Sequence, residues 1–420
     1  MWLGFAPPMA EVKPFPALHY NLAAVPSLAA VTAPPYDVID PPTRASLLAR
    51  SPVNVVEIDL PEAPEGHDPY EHAAETLEAW QLDGVLLADR EPAIWALTQE
   101  YTTPDGSRLV RSGFLARVRV TDYGAGLVRP HERTQPGPKE DRLRLTRATR
   151  HNLSPIFALH PGSVWDGIEP HLGSEPWGEV TDDDATVHRV WRIADTEVHD
   201  VVTAGLADAE LLIADGHHRY ETARIYADEI GGDGPHRYTL MCLVSLEDPG
   251  LTIFGTHRLL AGFDPERLES GIREHFEVEE VPAEQADPAG AEGVGVFGFL
   301  DEERSLRLRL RGTDAVDAAV PDRSEAYRRL DAVILEELVL KGALGMTGED
   351  IAGKRGLGYA KGIDEAMAAV HGADHDAAFL LRPTPVSQVR EVAAAGETMP
   401  PKSTFFFPKL LTGIVFNPLY

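Results

Sequence analysis

Cysteine occurs once in these 420 residues, as Cys242. A lone thiol excludes an internal disulfide framework and a cysteine-built structural zinc site. Long apolar runs are missing too. No window of eighteen apolar residues occurs, and the N-terminus has no basic start followed by an apolar stretch, so a cytoplasmic protein without a membrane segment is expected. Positive charge is scarce: 38 Lys and Arg stand against 67 Asp and Glu, for a formal net charge of −29. Such an excess repels phosphate backbones and anionic bilayers at long range, so neither nucleic acid nor membrane is an expected partner. The chain also lacks a Gly-x-Gly-x-x-Gly fingerprint, a Walker motif and a Gly-x-Ser-x-Gly elbow.

What is present describes an ordinary globular chain, 43% apolar and 25% charged, long enough for two domains. Domain boundaries are weakly marked. The division suggested is an N-terminal α+β part over residues 1–160 and a second part over 161–420. Asn54 to Leu60 alternates apolar and polar residues, which predicts a half-buried strand. Tyr70 to Gln81 places Ala73, Ala74, Leu77 and Trp80 at helical spacing. Two runs, Ala93–Tyr101 and Arg111–Val120, flank an Asp105-Gly106 turn and predict a hairpin. Trp165 to His199 reads as acidic and irregular, and Ser324 to Leu344 as one amphipathic helix. Cys242 lies in a run that reads as a buried strand.

The most informative stretch is Leu211-Leu212-Ile213-Ala214-Asp215-Gly216-His217-His218-Arg219-Tyr220-Glu221. Its apolar start predicts a buried strand, Asp215-Gly216 a turn, and the residues from His218 to Glu229 a helix. A strand feeding a helix through glycine aims several backbone N–H groups at one point, where the helix dipole adds partial positive charge. Gly216, without a Cβ, lets a ligand oxygen approach the backbone. Arg219 is of the type that grips phosphate with two parallel hydrogen bonds. His217 and His218 offer a proton carrier near neutral pH. The bland alternative is a strand–turn–helix with surface histidines. Asp215, His217 and His218 are also metal-ligand types. However, adjacent histidines on one turn diverge and no His-x-x-x-His stands nearby, so no protein-ligated metal is expected.

Three further loops carry charge. Arg129, His131, Glu132, Arg133, Thr134 and Lys139 form the densest basic patch, stiffened by Pro130, Pro136 and Pro138. It reads as a clamp for phosphate or carboxylate with Glu132 as a candidate base, or else as a loop held by its own Arg–Glu pairs. Lys402, Ser403 and Thr404, after Pro400-Pro401, are phosphate-gripping types without P-loop spacing. In Ala33-Pro34-Pro35-Tyr36-Asp37-Val38-Ile39 two prolines set the backbone; Asp37 is placed either to hold a substrate amine or Mg²⁺, or to cap the next helix. Thr256-His257-Arg258 follows a strand-like run, Leu251 to Phe254, and is expected beside the signature if the two strands are neighbours.

Gly216-His217-His218-Arg219, between an apolar strand and a helix, resembles the phosphate-binding box of the ParB/sulfiredoxin superfamily. The chain as a whole resembles the family called domain of unknown function 1015. That resemblance is carried by Ala33–Ile39, Val128-Arg129-Pro130-His131-Glu132-Arg133-Thr134, Asn152-Leu153-Ser154-Pro155-Ile156-Phe157, the signature, and Gly396 to Thr404. It implies an α+β, ParB/sulfiredoxin-like core with large family-specific elaborations. Sulfiredoxins carry a nucleophilic cysteine where His217 stands here, so sulfinic-acid reduction is not expected. Free-serine kinases are the functional analogue within the superfamily. The resemblance therefore implies phosphoryl transfer or phosphate-ester hydrolysis on a small metabolite of the serine or phosphoserine class, with ATP or ADP and Mg²⁺ as the nucleotide. In this reading His217, His218 and Glu132 are catalytic, while Asp215, Gly216 and Arg219 bind the phosphate. Asp37, Arg129, His131, Arg133, Lys402, Ser403 and Thr404 bind the remaining substrate. The alternative is a nucleotide-binding regulatory or scaffold protein that uses the same box without turnover.

Overall fold

The computed structural model describes residues 10–104, 106–124, 127–132 and 136–420. Its helices and strands form two compact units. The first comprises Met1–Pro130, Thr134–Leu251 and Pro408–Tyr420, and the second His131–Arg133 and Thr252–Phe407. Residue 160, where the sequence suggested a division, ends a strand inside the first unit's sheet.

In the first unit, strands β1 (Ile94–Thr102) and β2 (Arg108–Arg119) form the expected hairpin. They join β3 (Val128–Arg129), β4 (Ile156–His160), β5 (Val187–Ile193), β6 (Leu211–Asp215) and β7 (Tyr238–Ser245) in a mixed sheet. The order is β3-β6-β4-β7-β2-β1-β5, with the short strand Gly178–Thr181 beyond β5 and Val12–Lys13 against β2. Pairing is parallel at β3–β6 and β4–β7 and antiparallel elsewhere. The central strands are buried on both faces, so their sequences read as near-continuous apolar runs. One face carries Ile94, Ala96, Phe114, Ala116, Ile156, Ala158, Ile213, Met241 and Leu243 in a single core. The helix Thr196–Leu206 lays Val198, Val202 and Leu206 on that core at a spacing of four. Each such side chain contributes roughly 1.5–3 kcal/mol on burial. Asp195 starts the helix by accepting from Glu197 N–H at 2.9 Å.

The other face presents Trp95, Leu97, Phe157, Cys242 and Val244, and with them Gln99 and Arg111. The C-terminal segment from Pro408 runs through the first unit as a buried strap. It exchanges backbone hydrogen bonds between Thr412 and Ala33 and between Phe416 and Leu18, and Leu419 N–H donates to Arg150 O.

Two expectations fail here. Asn54–Leu60 is not a strand: Val56–Asp59 is a short helix. Asn54 decides this, because its amide donates to Ala30 O and Thr32 O while its Oδ1 accepts from Val56 N–H and turns the chain. The acidic stretch after Trp165 does contain regular structure, since Val187–Ile193 is a full strand. Its alternation was masked by Arg189 and Arg192, one on each face, which pair with Glu179 and Glu100 and with Asp89 respectively.

The second unit is built on an antiparallel sheet of six strands. It contains His257–Leu260 between Leu357–Ala360 and Ala377–Leu380, followed by Val296–Asp301, Ser305–Leu310 and Phe276–Glu280. His257 and Arg258 therefore pair within this sheet, while the signature strand pairs within the first unit's sheet. The segment read as one helix from Ser324 is broken. Leu330 is extended between Glu325–Arg328 and Asp331–Ile334, and Leu335–Ala343 follows as a π-helix. Local periodicity cannot register a single extended residue. A ribbon of Thr252–Phe254 with Phe405–Phe407 completes the unit.

His257 is buried with Nδ1 accepting from Leu381 N–H at 3.1 Å, and burial pushes its imidazole down to about 4. The ordinary histidine lies near 6.5, so between those values the unfolded chain binds a proton that the folded one refuses. Stability should fall as pH drops through that window, by up to about 3 kcal/mol from this group. Denaturant melts of wild type and His257→Asn between pH 4 and 7 should show a shallower pH slope in the variant; equal slopes would dismiss this source.

Candidate functional site

The signature folds as a strand, a turn and a helix. Leu211, Leu212, Ile213 and Ala214 are buried in β6, and the helix His217–Ile230, here α1, follows directly. Gly216 is its N-cap at φ 96°, in the left-handed region that side chains disfavour, and no side chain caps the helix. A Cβ on Gly216 would lie 2.9 Å from Arg219 Nε. The glycine is thus required twice, by backbone conformation and by the guanidinium packed over it.

Arg219 does not reach outward as a free fork. Its guanidinium donates to Pro155 O, stands 3.8 Å from Asp215 and is 10% exposed. Its charge therefore acts at the turn itself. Asp215 ends β6 between two cations, with Lys409 Nζ at 3.2 Å and Arg219 opposite. Burial alone would raise this carboxyl. Lys409 first, then Arg219 and His217, outweigh that and hold it well below the usual carboxylate range. Lys409 escaped the sequence reading, whose candidates in the same C-terminal stretch were Lys402, Ser403 and Thr404. Only the strap's path carries Lys409 to Asp215. His217 is buried and His218 half-buried in the first turn of α1.

The Pro-Pro-Tyr-Asp loop lies in the same unit. Tyr36–Val38 is a 3₁₀ turn, and the following helix, Pro41–Arg50, is capped by Asp40 and not by Asp37. Tyr36 stacks under Arg142, whose guanidinium carbon is 4.3 Å from the ring centroid, and burial pushes its hydroxyl up to about 12. Arg142 is itself buried and donates to Asp59 Oδ1 at 3.1 Å and Asp59 O at 2.7 Å. Asp59, Arg142 and Arg219 line one small polar cavity of about 30 Å³. Neither Asp59 nor Arg142 was singled out from sequence, since an isolated charged residue carries no local sign of burial. Arg129 sits on β3, parallel to β6, with Nε 2.7 Å from Glu210.

The remaining expected residues gather in the second unit. His131 Nε2 and Thr404 Oγ1 are 2.8 Å apart, His131 O accepts from Met399 N–H, and Glu132 bridges to Met399. Lys402 has φ 59°, a left-handed turn among the loop's prolines. Ser403 is buried, and its hydroxyl donates to Pro400 O at 2.6 Å, so it shapes the loop and is not an outward donor. Arg133 lies outside the described residues, as does Thr134. The expected residues thus form two groups, one in each unit. Among the described residues no set of three His, Cys, Asp or Glu side chains forms a metal site.

Two outcomes follow. Gly216→Ala should lose about 1–3 kcal/mol from left-handed strain and contact with Arg219. Asp59→Leu, which leaves the buried Arg142 with Asp141 as its remaining carboxylate partner at 2.7 Å, should cost about 1–3 kcal/mol. Urea unfolding measures both, and a Gly216→Ala protein as stable as wild type would contradict the geometry.

Solved structures with some likeness include a conserved hypothetical protein from Pyrococcus furiosus, at 16% identity and TM-score 0.35, over 66% of this chain and 86% of that one. A mutant free serine kinase in complex with ADP matches at 14% identity and TM-score 0.36, over 68% and 89%. SbnI with a C-terminal truncation, from Staphylococcus aureus, matches at 12% and 0.36, over 71% and 85%. Likenesses of this degree assign neither fold nor activity. No curated protein matches. The family described as "Protein of unknown function (DUF1015)" matches residues 12–333, well over half the chain and including the signature, and the chain belongs to that family.

Proposed function

We propose that the turn at Gly216 binds a phosphoryl group, and that the protein transfers or hydrolyses phosphate on a small metabolite. One observation carries this reading. A left-handed glycine opens a helix that no side chain caps, and Arg219 and Lys409 flank the same turn. Backbone N–H groups, the helix dipole and two cations act at one place, where the Asp215 carboxylate holds the cations. In an otherwise strongly acidic chain, this concentration of positive charge supports an anionic ligand.

In this reading Gly216 and the first N–H groups of α1 cradle the phosphate, and Arg219 and Lys409 balance its charge. His218, the more exposed of the pair, moves the proton or takes the phosphoryl group transiently, and His217 supports Asp215 from within. The donor set suits the phosphates of ATP or ADP, with Mg²⁺ arriving on the nucleotide. Rate enhancement comes from positioning and charge stabilisation. We extend the resemblance of the Gly-His-His-Arg box to an α+β core of ParB/sulfiredoxin type and a serine or phosphoserine substrate. The His131–Glu132–Thr404 group of the second unit is proposed to bind a hydroxyl, with Glu132 as base; Lys402 and Arg129 are proposed as further anion contacts, and Asp37 as a contact for a substrate amine.

The test is a screen of ATP, ADP, serine and phosphoserine with Mg²⁺, following nucleotide and phosphate. Lys409→Ala and Arg219→Ala should each weaken nucleotide binding by roughly 10–100-fold. His217→Ala and His218→Ala should bind normally, and the His218 variant should lose about 10²–10⁴-fold in kcat. Tight nucleotide binding with no turnover on any substrate would replace this reading with a nucleotide-dependent regulatory protein. Absence of any nucleotide or phosphate binding would end both.

A further inference from the structure

Arg111 is the least expected residue of the first unit. It is 1% exposed on β2, and among the described residues no carboxylate stands within ion-pair distance. Burial pushes its guanidinium down to about 10, so it is still charged at neutral pH. Asp248 and Asp215 act on it only at longer range. A buried cation with no carboxylate in contact is costly, and an apolar residue of similar volume often stabilises a sheet as well or better. The residue therefore calls for a reason other than packing.

Its hydrogen bonds suggest one. Gln99 and Arg111 are direct cross-strand partners, as are His188 and Gln99, so three buried polar side chains form one line across β5, β1 and β2. Arg111 Nε donates to Gln99 Oε1 at 3.0 Å and Nη2 donates to Pro408 O at 2.5 Å. Arginine has only donors, which orients the Gln99 amide: Oε1 faces Arg111 and Nε2 faces away. That Nε2 donates to Lys409 O at 2.9 Å and to His188 Nδ1 at 3.2 Å. His188 is thereby left with its proton on Nε2, which donates to Asp182 Oδ2 at 2.8 Å. Every bond has one donor and one acceptor. The guanidinium also lies 4.5 Å from the Phe157 ring centroid, which fixes its plane. The chain of bonds ends on two consecutive carbonyls, those of Pro408 and Lys409, where the strap enters the first unit. From the second of these residues the ammonium reaches Asp215.

We propose that Arg111 and Gln99 are positioning residues of the phosphate site: they hold the carbonyls of Pro408 and Lys409 and so set where the Lys409 ammonium stands beside Asp215. Lysine has a flexible stem, so its charge is useful at a defined point only if its backbone is fixed. The polar line supplies that anchor from the centre of a rigid sheet. The inference rests on the phosphate-binding reading above for its consequence, but not for the anchoring itself.

The experiment pairs backbone hydrogen exchange with titration of ADP–Mg²⁺ and of inorganic phosphate, using the full chain. In Arg111→Met the amides of residues 409–412 should exchange faster while those of 114–118 and 241–244 keep their protection. ADP affinity should fall about tenfold or more. Arg111→Lys should recover part of it. Lys409→Ala should lose affinity with strap exchange unchanged, and Arg111→Met combined with Lys409→Ala should bind no worse than Lys409→Ala alone. If Arg111→Met fails to fold, Gln99→Leu carries the same expectations. Unchanged strap exchange, or affinity losses that simply add, would overturn the proposal. If wild type binds neither ADP nor phosphate, the phosphate reading fails, and strap exchange alone decides whether Arg111 and Gln99 anchor the segment.

Discussion

Asp215 is a carboxylate kept ionised inside the first unit by two cations from different parts of the chain. Arg219 comes from the first turn of the helix that Asp215 precedes. Lys409 comes from the C-terminal strap, far away in sequence. A buried carboxylate without these partners would take up a proton, and the cations without the carboxylate would repel each other. The three groups thus require one another, and they meet at the one glycine whose conformation opens a helix toward them. The strap, the signature strand and the helix are tied together at that point.

Around this centre two further guanidiniums of the first unit are buried among polar partners. Arg142 is held by Asp59, Asp141 and Tyr36, and Arg111 by Gln99 and a backbone carbonyl. Each buried guanidinium contributes less to stability than an apolar residue would, which points toward roles in fixing geometry. The acidic remainder of the chain faces water. The surface can therefore carry a charge of −29 while the turn at Gly216 stays locally positive, because exposed charges are screened over about 10 Å and buried ones are not.

Much of the local structure was legible. The hairpin strands, the signature strand and helix, and the helix over 70–81 follow from periodicity and turn residues, which act over a few neighbours. The failures have particular causes. Asn54 overrode the alternation of its segment through hydrogen bonds to Ala30 and Thr32, partners more than twenty residues away. Arg189 and Arg192 disguised a strand because their acidic partners, Glu179, Glu100 and Asp89, lie elsewhere in the chain. Ser403 looked like an outward donor, but its hydroxyl closes its own loop.

The sequence by itself determined the family, the strand–turn–helix form of the signature and the need for glycine at 216. Each of these depends on contiguous residues and on backbone chemistry that any reader of the chain can apply. Only the tertiary structure decided that Lys409 stands beside Asp215, that Arg219 folds back over Gly216, and that His131, Glu132 and Thr404 gather in a different unit. It also revealed the line from His188 through Gln99 to Arg111. Such pairings depend on strand register and on the strap's path, which are set by the packing of the whole sheet and leave no mark on the residues nearby.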